Sequence, residues 1–151
     1  MKTLARLRDR DELITRLRTV RTGSAARWGR MSAHQMICHL ADAFRMATGD
    51  KEVSTASGPL QRSLVKWIAL YLPVAWPAGI PTRPETDQAV AGTKPIEFAR
   101  DVAEVEQLLM RTAAQNASAW PDHPIFGRMS HRAWLRWGYL HTDHHLRQFG
   151  A

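Results

Sequence analysis

Four stretches of this chain space their apolar residues at the helical period between start and stop signals, which points to a mainly helical fold. The first runs from Asp9 or Asp11 to Val20, with Leu13, Ile14, Leu17 and Val20 on one face and Gly23 as a stop. The second opens at Ser32, where Ser32 and Gln35 form an S-x-x-Q capping box, and runs to Thr48 before Gly49. The third starts near Pro95, acceptable in a first turn, and continues through Phe98, Val102, Val105 and Leu109 to about Asn116. The fourth follows Ser130, a suitable N-cap, and ends at Phe149 and Gly150.

Between the second and third lies a long connection. Residues 60–72 (LQRSLVKWIALYL) are helical in pattern, whereas 73–95 contain five prolines and should be irregular. A connection of this length in a small domain tends to be functional or to cover something. The expected architecture is all-α: a four-helix bundle whose crossover between helices two and three carries an extra short helix. Residues 1–151 form one domain on this reading, long enough to bury a core.

Composition narrows the function classes. Hydrophobic residues at 44% and charged residues at 23% exclude a disordered chain. Six tryptophans against four phenylalanines suggest that tryptophan carries much of the packing. The single cysteine, Cys38, cannot form an intrachain disulfide, and the N-terminus lacks the apolar run of a secretory signal. Both fit a cytoplasmic protein. No stretch is apolar enough to span a membrane; residues 67–81 are interrupted by three prolines and read as a buried helix end plus a loop. The net charge of +7 raises nucleic acid as a partner, but the arginines are spread along the chain. A solvated basic surface is the favoured reading.

The histidines separate by face. Each helical residue turns about 100°, so with Trp134 at zero, Gly138 falls near 40°, His141 near −20° and His145 near 20°. Both histidines therefore lie within the apolar arc of the fourth helix, while His144 sits on its flank near −80°. Two imidazoles at i and i+4 on a core-facing stripe either converge on a metal ion or are hydrogen-bonded core residues. A catalytic site with an open position needs a third ligand. His39 lies at the edge of the arc of Met36, Leu40, Ala43 and Met46, and can supply it. His34 points about 140° away from His39. Cys38 reads as a small buried hydrophobe. Asp42 either orients a ligand or pairs with Arg45, and Gln148 has two similar readings. His123 and His131 take surface or capping roles.

Two stretches resemble a known superfamily. RWGRMSAHQMICHLADAF (27–44) is similar to the helix-two signature of the DinB-like superfamily, a tryptophan-led approach to a helix bearing the first histidine. HPIFGRMSHRAWLRWGYLHTDHHLRQFG (123–150) resembles its last helix with H-x-x-x-H, and the ending HHLRQFG looks like one bacterial branch. The resemblance implies a metal-binding four-helix bundle, often a homodimer. It implies a divalent metal at His39, His141 and His145, zinc or nickel before iron or manganese. Relatives include transferases and isomerases dependent on low-molecular-weight thiols such as bacillithiol and mycothiol. The resulting expectation is a metal-dependent thiol S-transferase acting on a small-molecule substrate, with Asp42, Gln148 and His144 around the ligands. The scarcity of inward carboxylates favours thiolate delivery over metal-assisted hydrolysis. The alternatives are a non-catalytic, stress-associated metal-binding bundle and, less favoured, a basic nucleic-acid-binding bundle.

Overall fold

A computed structural model describes residues 1–151 and contains five α-helices and no β-strand. They are α1 (Leu7–Leu17), α2 (Ala33–Thr48), α3 (Lys66–Tyr71), α4 (Phe98–Ala113) and α5 (His131–Gln148). The α2 signals act as their chemistry predicts. Ser32 Oγ accepts from Gln35 N–H, Gln35 Oε1 accepts from Ser32 N–H, and Gly49 closes the helix at φ 80°. Ser130 likewise caps α5 by accepting from Ala133 N–H.

Two helices begin elsewhere than their sequence pattern suggests. α1 starts at Leu7, before Asp9, because Asp9 sits inside the first turn and accepts from Thr3 N–H at 2.9 Å. It stops at Leu17, since Thr19 and Val20 fold back onto the carbonyls of Arg16 and Leu17. α4 begins at Phe98, leaving Pro95 outside. Glu97 is its N-cap and accepts from Ala99 and Arg100 N–H, while Asp101 reaches back to Ile96 N–H.

The crossover does contain a short helix, a π-type turn at Gln61–Val65 running into α3. It is not buried as expected. Leu70 alone of α3 is fully buried, and Trp67 is 53% exposed. The proline-rich 73–95 is irregular apart from one 3-10 turn, Pro84–Thr86.

α2 packs chiefly on α4, and α1 on α5. Leu13, Leu17, Met36, Leu40, Phe44, Val105, Leu109 and Leu146 form one continuous core between them. Trp134 and Trp137 anchor a second cluster with Met46, Leu70 and Phe126. The other tryptophans are less buried, so the tryptophan share is only partly a packing signal. The N-terminal segment packs closely on α5 at Gly138: a Cβ there would lie 2.6 Å from Leu4 Cδ1. Leu4 is fully buried, so its tip has little room to turn away. Gly138→Ala is therefore expected to destabilise by about 1–3 kcal/mol despite its better helix propensity. A thermal midpoint equal to or above the parent's would refute that.

Asp42 ties the crossover down. It is fully buried on α2, and its carboxylate accepts from Thr93 N–H (2.8 Å), Thr93 Oγ1 (2.6 Å) and Gln88 Nε2 (3.0 Å). Arg45 and Lys51 pair with it at 3.1 and 2.9 Å. Burial pushes this carboxyl upward, but the bonds from Thr93 and Lys51 outweigh that and hold it below the ordinary range.

Candidate metal centre

The inward stripe of α5 and the facing edge of α2 bring three imidazoles together. One ring nitrogen from each of His39, His141 and His145 lies within 4.8 Å of the other two. His39 Nε2 is 3.2 Å from His141 Nε2, and the rings of His39 and His145 are 4.6 Å apart. His39 and His145 are buried; His141 is partly exposed and lies flat against Trp137.

The outer hydrogen bonds decide which nitrogen faces inward. His39 Nδ1 lies 2.8 Å from the Thr86 carbonyl, which can only accept, so Nδ1 carries the proton and Nε2 keeps its lone pair. The same logic runs one residue further at His145. Gln148 Nε2 donates to the Trp28 carbonyl at 2.7 Å, which turns Gln148 Oε1 toward His145 Nδ1 at 2.9 Å. His145 must then donate from Nδ1 as well, leaving Nε2 free. Burial lowers the pKa of His39 and drives those of His141 and His145 well below the imidazole value, helped by mutual repulsion. All three are neutral near pH 7.

Such a set suits a divalent cation. Bonds of about 2.0–2.1 Å to a tetrahedral zinc place two nitrogens about 3.3 Å apart, close to the separation of His39 and His141. Neutral imidazoles already oriented by a carbonyl and an amide need little reorganisation to ligate.

The other singled-out residues fall as follows. Gln148 contacts a histidine of the cluster directly. Asp42 contacts none; its partners are Arg45, Lys51 and the crossover. His144 is buried beside His145, with Nδ1 lacking any hydrogen-bond partner. His34 turns away to Asp101, and Cys38 is buried with its thiol pushed up to about 12 by burial and by Asp101. His131 accepts from Trp120 Nε1 at 3.0 Å. His123 is not on the surface: it is buried, and its Nδ1 accepts from Ile125 and Phe126 N–H.

Above the centre lies a cavity of about 1180 Å³, walled by Trp28, Trp76, Trp137, Phe126 and the crossover around Thr86–Gln88. His39, His141, His144 and His145 all reach it. The crossover's contribution, Thr86 carbonyl above all, was hidden in the sequence because a backbone oxygen leaves no residue signature. Only the length of the segment hinted that it covers something.

Fold and site together define an all-helical protein with a buried three-histidine cluster under a large aromatic-walled cavity. Residues 2–151 match the family described as Protein of unknown function (DUF1569), and the chain belongs to that family. No curated protein and no solved structure matches it.

Proposed function

We propose that this protein is a metal-dependent thiol S-transferase of the DinB-like kind, its four long helices forming the bundle and the crossover roofing the substrate cavity. The observation that carries the reading is the convergence of three neutral imidazoles, two with their inner lone pairs set by outer partners, beneath that cavity. His39, His141 and His145 would hold the ion, zinc or nickel, because an all-imidazole set is of the borderline kind that suits those ions. When bound, a divalent ion with three neutral ligands supplies Lewis acidity and favours the deprotonated form of a coordinated thiol or water.

The chain's own residues favour a thiol over water. Hydrolysis calls for a nearby general base; Asp42 is engaged by two cations and Thr93, and Asp87, the carboxylate on the cavity wall, accepts from Ala89 N–H. In the transfer, the thiol S–H bond breaks and its proton passes to solvent, the sulfur bonds to an electrophilic carbon of the second substrate, and the bond from that carbon to its leaving group breaks, the leaving group departing with the electron pair. Trp28, Trp76 and Trp137 would pack on that substrate, with His144 beside them on the cavity wall.

Elemental analysis of the purified protein beside the His141→Ala, His145→Ala double variant tests the site. The variant is expected to hold about one equivalent less metal, since two of three ligands are gone. Equal metal in both proteins would remove the site. A metal-loaded protein that turns over no electrophile with any small thiol would remove the transferase reading and leave the site standing.

A further inference from the structure

α2 carries a second pair of ligand-type side chains at helical spacing, on the face away from His39. His34 and Cys38 are one turn apart where α2 packs on α4, and Asp101 in the first turn of α4 completes the group. His34 Nε2 is 2.7 Å and Cys38 Sγ 3.7 Å from Asp101 Oδ2, and the three ligand atoms all lie within 4.8 Å of one another. Cys38 and Asp101 are buried, and the His34 side chain is 20% exposed.

What sets Asp101 apart is its company. The other buried carboxylates, Asp9 and Asp42, each face a lysine or arginine. Asp101 faces neither; its partners are Ile96 N–H, the His34 ring and the Cys38 thiol. Burial raises the cost of its charge, and Ile96 N–H, His34 and the Cys38 thiol offset that without a fixed cation. Two of its partners are groups whose protons a metal displaces. A divalent ion bound by this carboxylate, a thiolate and a neutral imidazole brings the buried charge to zero.

We propose that His34, Cys38 and Asp101 form a second, structural metal site of zinc type that clamps α2 to α4. Binding breaks the Cys38 S–H bond and releases that proton to solvent, while His34 presents the Nε2 lone pair with its proton on Nδ1. The mixed nitrogen, sulfur and oxygen donors suit zinc or cobalt better than a hard cation. Bond lengths of about 2.0 Å to nitrogen or oxygen and 2.3 Å to sulfur separate the ligand atoms by roughly 3.3–3.5 Å, between the two distances observed. The site stands independently of the three-histidine centre.

Cobalt(II) titration of the metal-stripped full chain decides the matter. Cys38 is the sole cysteine, so a near-ultraviolet thiolate-to-cobalt charge-transfer band reports this site alone. The expected result is a saturating band with about two equivalents bound in all, one at each three-ligand group. The band should persist in the His141→Ala, His145→Ala variant with about one equivalent, as that variant keeps this ligand set. His34→Ala, which alters a partly exposed side chain, should weaken the band's cobalt affinity at least about tenfold while keeping the native far-ultraviolet dichroism. Cobalt uptake by the parent protein with no such band would overturn the proposal and leave a plain hydrogen-bond network. A band undiminished in His34→Ala would overturn it too.

Discussion

Asp42→Ala is expected to lower the unfolding free energy by about 3 kcal/mol and to weaken zinc binding at the three-histidine centre by about 10–100-fold. The stability loss follows from burial. The carboxylate is fully shielded, and its removal strands Thr93 N–H and Gln88 Nε2 without their acceptor, leaves Lys51 without its carboxylate and leaves Arg45 with Glu104 alone. Both cations are about one-fifth exposed, so they can turn toward water, which is why the figure sits at the low end for a broken buried pair. The metal effect is indirect. Asp42 touches no histidine, but it pins the crossover at Gln88 and Thr93, and the carbonyl that orients His39 belongs to Thr86 on the same segment. Asp42→Asn, which keeps the shape and loses the charge, should fall between parent and alanine. Urea unfolding of the metal-free proteins gives the first quantity and competition with a zinc chelator the second. Unchanged zinc affinity in a destabilised Asp42→Ala protein would show that the crossover does not hold His39 in place.

The two parts of that network differ in how much the sequence disclosed. The inward faces of α2 and α5 follow from periodicity, because a helix turns by a fixed angle per residue and apolar neighbours mark the buried side. His39, His141 and His145 could be singled out on that basis, and the caps at Ser32 and Ser130 placed two helix starts within a residue. The crossover has no period. Its role rests on long-range hydrogen bonds from Gln88 and Thr93 to Asp42 and on a backbone carbonyl, and neither leaves a local pattern. Exposure misled in the same region: Trp67 looks like a core residue by type, yet a short helix with one fully buried side chain leaves it in solvent. His123, expected at the surface or as a cap, departs in the opposite direction: its Nδ1 caps two backbone N–H groups, but its ring is buried between that loop and α5.

That burial makes His123 an expected source of acid lability outside the three-histidine cluster. Its ring stacks on Phe126, lies edge-on to Trp137 and packs against Trp134, while Nδ1 accepts two backbone N–H groups at 3.1 Å. Protonating Nδ1 would convert that acceptor into a donor facing two donors. Burial pushes the pKa down to about 3, against 6.5 for a free imidazole. Between those values the unfolded chain takes up a proton that the native protein does not. This contribution to stability is therefore complete above pH 6.5 and declines as the pH falls toward 3. The slope is about 1.4 kcal/mol per pH unit, reaching roughly 5 kcal/mol across the window. The three clustered histidines, whose pKa values burial also lowers, add slopes of the same sign, so the comparison must be with a variant. His123→Asn keeps an oxygen acceptor near the Nδ1 position and cannot titrate there. It should cost about 1–3 kcal/mol at pH 7 through lost ring packing, yet lose stability more slowly than the parent as the pH drops from 7 to 5. Urea midpoints measured with chelator at several pH values supply both slopes. Parallel slopes would mean that His123 takes up its proton in the native state near pH 6.5, and that the loop opens to admit it.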